Sequence, residues 1–125
     1  MTELLTLEDA LTVLDEMGLV VADPGLLASA VARPAATVFG ADAYPDLTRK
    51  VAALLESIVL NHALVDGNKR AGWALAVVTL WLNNHELSYD EDEAFTMVMQ
   101  IAEGNSSLDG ITEWFAGRVR AKAQP

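Results

Sequence analysis

One nine-residue run concentrates the chemistry of this chain: His62-Ala63-Leu64-Val65-Asp66-Gly67-Asn68-Lys69-Arg70. A long apolar-periodic segment leads into it and another leads out, so Asp66-Gly67-Asn68 reads as a break between two helices. Gly67 and Asn68 tolerate left-handed backbone angles, and Asn68 or Asp66 is suited to cap the following helix. That helix then begins with Lys69 and Arg70. Two cations in a first helical turn lie at the positive end of the dipole, at a cost of about 0.3–1 kcal/mol each. Free backbone N–H groups, a glycine that permits close approach and two cations together describe a phosphate site, and an anion docked there removes the penalty. His62 sits just before the turn, in position to act on whatever carries the phosphate. The same residues also fit a plainer reading, in which the turn only connects two helices, His62 caps the first and both cations are solvated.

The order of the residues resembles the core motif of the Fic/Doc family, His-x-Phe-x-Asp/Glu-Gly/Ala-Asn-x-Arg. His62, Asp66, Asn68 and Arg70 fall on its invariant positions, and Gly67 is an allowed residue at its own. Leu64 replaces the usual Phe, an apolar exchange that reads as a packing anchor. Lys69 matches the Doc branch, which has Asn-Lys-Arg where adenylylating Fic enzymes have Asn-Gly-Arg.

A nucleotide on the 67–70 turn gives each polar residue a task. His62 is the general base for an acceptor hydroxyl. Asp66, the one carboxylate in the turn, is the expected Mg²⁺ ligand, since Mg²⁺ favours a carboxylate with phosphate oxygens and waters. Gly67, Asn68, Lys69 and Arg70 are the expected ATP contacts, meeting charge on the transferred group. Adenylylating Fic enzymes carry a second Arg three residues after the first, and here that position is Trp73. The resemblance to Doc therefore implies transfer of the terminal phosphate of ATP to a threonine of translation elongation factor Tu, arresting protein synthesis. It also implies a Phd-type antitoxin whose C-terminal segment blocks the site. The rivals are a Fic-type adenylyltransferase and a non-catalytic module that keeps only the fold. The internal inhibitory motif of some Fic proteins, Ser/Thr-x-x-x-Glu-Gly/Asn, is not matched: Glu103-Gly104 follows Met99, and Thr12 and Glu16 precede Met17. That favours control by a separate chain, and leftover exposed apolar surface is then expected.

Bulk composition is that of one folded domain and not of a disordered tail. The chain has 125 residues, 52% apolar and 21% charged, enough for a single domain (1–125) with one core. Its net charge of −10 disfavours direct nucleic-acid binding and makes the Lys69-Arg70 pair stand out. There is no cysteine, and the two histidines lack ligand-like spacing, so neither a disulfide nor a zinc site is expected. The N-terminus shows no signal-peptide pattern, and the apolar run 71–82 is shorter than the ~20 residues a membrane span needs. The expected location is the cytoplasm, with no membrane contact.

The remaining segments must position that run, and they read as an all-α bundle around a buried central helix. The first helix, 6–17, has Thr6 and Asp9 as a capping box and Gly18 as its stop. Asp23-Pro24 opens a second, ended by Pro34. Arg33 reads as a C-terminal cation, or less strongly as a lip of the cleft. Residues 35–45 read as a loop with a short extended piece at 37–39, either a connector with Phe39 in the core or, by the resemblance, the flap that holds the target segment. A third helix, 46–61, delivers His62, with Lys50 and Glu56 off its apolar stripe. A fourth, 68–83, is apolar almost all round and is expected to be the central one, its Trp73, Val77 and Trp81 in the core. His85 is a cap or solvent residue. A fifth helix starts at the acidic run 90–93. The last follows Ser106 or Ser107 and brings Val119 inward.

Overall fold

Local signals set most helix starts. The computed structural model describes residues 2–123. Helix α1 (Leu7–Glu16) opens on the expected box: the Asp9 amide donates to Thr6 Oγ1 and the Thr6 amide to Asp9 Oδ2, each at 3.0 Å. Helix α2 (Pro24–Ala32) has Pro24 at its first position, and Asp23 accepts from the Leu26 amide. Helix α3 spans Leu47–Asn61 and α4 spans Asn68–Leu82. Asp90 caps α5 (Glu91–Ala102), and Ser107 caps α6 (Leu108–Ala116).

The helices form three layers. On one side of the α3–α4 pair, α1 and α2 contribute Ala10, Leu14, Leu27 and Ala30 to a cluster with Leu54, Ile58 and Leu75. On the other side, α5 and α6 bring Val98, Ile101, Ile111 and Phe115 against Val51, Leu55, Ala76 and Leu80. The buried central helix is therefore α3, not α4. From Lys50 to Val59 only Glu56 escapes burial, whereas α4 buries one face and turns Trp81 and Leu82 outward. Gly72 lets the pair approach closely: a Cβ there would stand 3.0 Å from Leu55 Cδ1 and Val59 Cγ2. Lysine 122 caps the exposed Trp81 ring, its Nζ 3.4 Å from the centroid, so this tryptophan is a surface residue.

Two small antiparallel ribbons complete the fold. Strands β1 (Thr37–Val38) and β2 (Ala41–Asp42) form a hairpin closed by Phe39-Gly40. Both turn residues have positive φ, 50° and 80°, as the two-residue hairpin turn of the primed type requires. Phe39 is fully exposed, which excludes the reading that puts it in the core. Strands β3 (His85–Leu87) and β4 (Val119–Ala121) pair in the register His85↔Ala121. The last helix therefore ends before Val119, which still packs on the core from its strand. His85 is a half-buried strand residue, its Nδ1 2.6 Å from the Asn83 carbonyl oxygen.

Candidate active site

The loop between α3 and α4 is built from the backbone outward. His62 ends α3 in the left-handed region, φ 52° and ψ 45°. Histidine tolerates this better than branched residues do, and such a conformation persists only where the surroundings hold it. They hold it through the α1–α2 connector. The Ala22 and Asp23 amides both donate to the Ala63 carbonyl, at 2.8 and 2.9 Å, and the Val65 amide donates to the Val20 carbonyl at 3.0 Å. Leu64 pairs with Val21 in an isolated bridge and is 4% exposed, the packing anchor expected of it. Asn68 then draws the loop shut: its Oδ1 accepts from the Leu64 amide at 3.0 Å, and its Nδ2 donates to the Leu64 carbonyl at 3.3 Å.

With Ala63 and Leu64 pinned inward, the charged and titratable side chains face out. His62, Asp66, Lys69 and Arg70 are all exposed. The cap of α4 is Gly67, at φ 81°, and no side chain caps this helix; neither Asn68 nor Asp66 serves as the cap. Asp66 Oδ1 instead accepts from the Gly67 amide at 2.8 Å. The N–H groups of Asn68, Lys69 and Arg70 thus lie in an uncapped first turn. A Cβ on Gly67 would fall 2.7 Å from Leu19 Cδ2 and 2.9 Å from Arg70 Nη2, so glycine here lets the Arg70 guanidinium fold over the turn. Among the described residues no carboxylate forms an ion pair with Lys69 or Arg70.

The residues suit a Mg²⁺–nucleotide better than a metal held by protein alone. No group of three or more His, Cys, Asp or Glu side chains capable of holding a metal occurs among the described residues. Asp66 is exposed beside the uncapped turn with one oxygen engaged, the donor set of a single carboxylate that leaves phosphate and water to complete the shell.

Two features escaped the sequence reading. The segment proposed as a flap, 35–45, holds the β1–β2 hairpin, and a buried Lys50 and a half-buried Arg33 tie it to α3. Lys50, only 4% exposed, donates to the Pro34 carbonyl at 3.2 Å and pairs with Asp42 of β2 at 3.3 Å. Arg33 donates to the Tyr44 hydroxyl, Glu56 Oε1, Ser57 Oγ and the Ala53 carbonyl, so it is neither a simple helix-end cation nor a cleft lip. Burial works against its charge, but the hydrogen bonds to Glu56 and Tyr44 outweigh that and raise its pKa above the usual arginine value. The signal for Lys50 was available: Lys50, Leu54 and Ile58 recur at spacing four, which places lysine on the apolar stripe. Trp73 packs against the core as expected, but only in part. It is half-buried and, with Lys69, Arg70, Tyr89 and Phe95, lines a cavity between α4 and α5.

Comparison with known proteins places the chain in a family. The family model described as Fic/DOC family matches residues 3–80. The chain belongs to the Fic/DOC family. It is also 48% identical, over 97% of its own length and 97% of the other's, to Toxin Doc of Mycolicibacterium smegmatis (strain ATCC 700084 / mc(2)155). That match extends through α5 and α6, beyond the segment that the Fic/DOC model covers. No helix among the described residues is long and apolar enough to cross a membrane.

Proposed function

We propose that this Fic/DOC chain is a Doc-type toxin of the cytoplasm that moves the terminal phosphate of ATP to a hydroxyl of a target protein, a threonine of elongation factor Tu, and so arrests translation. The observation that carries the reading is the exposed line His62, Asp66, Lys69 and Arg70 on a loop otherwise pinned to the core. Full-length similarity to Toxin Doc supports the toxin assignment. Lys69 and Trp73, where adenylylating relatives have Gly and Arg, support phosphate transfer over adenylyl transfer.

In this mechanism His62 removes the proton of the acceptor hydroxyl as that oxygen bonds to the γ-phosphorus. The bond from phosphorus to the β–γ bridging oxygen breaks, and ADP leaves with the electron pair. Lys69, Arg70 and the free amides of the first α4 turn meet the charge on the phosphoryl oxygens. Asp66 would hold Mg²⁺, which neutralises the phosphate charge when bound. Exposure of His62 suits a base that must meet another protein's surface.

Exposed apolar side chains such as Leu7 and Leu11 on α1 and Val65 in the loop support a partner chain, for which the Doc branch suggests a Phd-type antitoxin. The deciding experiment incubates purified protein and elongation factor Tu with ATP labelled at the α or the γ position. Label on the target from the γ position alone is expected. Label from the α position would replace the kinase with an adenylyltransferase, and no label from either, with wild-type and His62→Ala chains equally harmless to growth, would favour a non-catalytic module.

A further inference from the structure

The chain holds two Asp-Gly pairs, Asp66-Gly67 and Asp109-Gly110. Glycine lacks the Cβ that shields a main-chain nitrogen, so in such a pair the side-chain carboxyl can approach the next amide closely. The fold treats the two pairs differently. Asp109-Gly110 lies in the first turn of α6, where the Gly110 amide donates to Ser107 Oγ at 3.0 Å and Asp109 Oδ1 pairs with Arg49 at 2.7 Å. Asp66-Gly67 lies ahead of α4, and Gly67 has φ 81°. The Gly67 amide faces the carboxyl of its own neighbour, 2.8 Å from Asp66 Oδ1. Among the described residues no cation pairs with Asp66. The place that a Cβ on Gly67 would take is 2.9 Å from Arg70 Nη2, so a guanidinium stands beside the same glycine.

We propose that Asp66-Gly67 is a site of spontaneous isomerisation, at which the folded chain converts its own aspartate to isoaspartate. The Gly67 nitrogen bonds to Asp66 Cγ, and its proton leaves with the carboxyl hydroxyl as water, closing a five-membered succinimide. Water then adds to the Asp66 main-chain carbonyl carbon, whose bond to the Gly67 nitrogen breaks. The main chain now runs through the former side chain and is longer by a methylene, and a free carboxylate stays on the Asp66 Cα. Water is released and then taken up again, so nothing else is consumed. The Arg70 guanidinium favours closure by meeting the negative charge that builds on oxygen. At Asp66 nitrogen and carboxyl already meet; at Asp109 the helix turn and both holds have to open first. The consequence for activity rests on the phosphate-transfer reading given above. The carboxylate assigned to Mg²⁺ leaves its place, and the lengthened loop no longer matches the grip of Asn68 on Leu64. A chain built this way loses activity with age, with no protease or partner involved.

The test ages the full chain at physiological temperature, folded in buffer and unfolded in guanidinium chloride, then applies protein isoaspartyl methyltransferase with a labelled methyl donor. Electron-transfer fragmentation of the peptides locates the isoaspartate, which forms with no change in mass and is thereby told apart from deamidated asparagine. In the unfolded chain both pairs are expected to convert. In the folded chain isoaspartate is expected at Asp66 and not at Asp109. Asp66→Glu should remove it, because glutamate has to close a larger and slower ring. Asp66 is exposed, so this exchange does not threaten the fold. Absence of isoaspartate at Asp66 in the folded chain, or equal conversion at Asp109, overturns the proposal. Transfer of γ-label is followed on the same samples. Its loss in proportion to isoaspartate supports the stated consequence. Conversion with undiminished transfer removes Asp66 from its assigned role while the modification stands.

Discussion

The Asn68 side chain grips the backbone of Leu64 from both sides, accepting from its amide at 3.0 Å and donating to its carbonyl at 3.3 Å. One amide group therefore sets the width of the loop that carries His62 and Asp66. An aspartate at this place keeps the acceptor and loses the donor, and an alanine loses both. Asn68→Asp and Asn68→Ala are each expected to lower stability by about 1–3 kcal/mol, the penalty of an unpartnered half-buried group. Phosphate transfer should fall more steeply than stability in both. Urea midpoints read beside single-turnover transfer check this; a full-speed Asn68→Ala enzyme would show that the loop keeps its shape without the grip.

Gly67 is required by this chain although the family motif also admits alanine. A Cβ at φ 81° would meet Leu19 at 2.7 Å and Arg70 at 2.9 Å. Gly67→Ala should cost about 1–3 kcal/mol from the strained backbone and crowding. ATP affinity should drop with it, because the Arg70 guanidinium has to move. Adding Leu19→Ala relieves one contact only, so the double variant should still bind ATP weakly in a titration.

His62 supplies an opposite case, in which loss of activity accompanies a gain in stability. Its side chain is exposed and its backbone is left-handed, the conformation that glycine adopts most readily at a helix end. His62→Gly is expected to raise the unfolding free energy by about 0.5–1 kcal/mol. The same change should cut transfer by at least about a hundredfold, as removal of a general base does. Thermal melts and labelling assays on one preparation decide both halves.

Lys50 ties the β1–β2 hairpin to the central helix from inside. Lys50→Met keeps the bulk and removes the donor to the Pro34 carbonyl and the partner of Asp42. Hydrogen exchange at the Ala43 amide, which donates to the Ala36 carbonyl at 2.8 Å, should quicken while amides in the middle of α4 keep their protection. A global loss of about 1–3 kcal/mol is expected alongside. Unchanged exchange at Ala43 would mean that Arg33 and Tyr44 alone hold the hairpin.

Much of this architecture was readable because short-range chemistry decided it. Thr6 with Asp9, Asp23 with Pro24, Asp90 and Ser107 each act within three or four residues, and each helix they announce is present. The motif loop was readable for a similar reason, its Leu64 anchor buried and the charged residues that follow it exposed. The failures are long-range. Strand β3 pairs with a segment more than thirty positions later, so nothing near His85 or Val119 signals it. The central position of α3 depends on which helices surround it, and the uniformly apolar α4 imitates a helix enclosed on all sides. Trp81 reaches the surface because Lys122, far along the chain, supplies a cation for its ring. The Phe39-Gly40 turn puts an aromatic residue at positive φ, against local preference, so the hairpin could be seen only as an extended piece.

The three backbone hydrogen bonds from residues 20–23 to residues 63–65 also limit how a site on this loop could be switched off. They splice the turn to the joint between the first two helices, so its shape is not an independent variable. A regulator that sought to unfasten the turn would have to open that joint and part of the surrounding core. Under the proposed function, silencing would then be a matter of masking: a regulator would sit over a finished site and leave it intact. Once such a mask departed, competence would return at the rate of dissociation, with no interval for rebuilding.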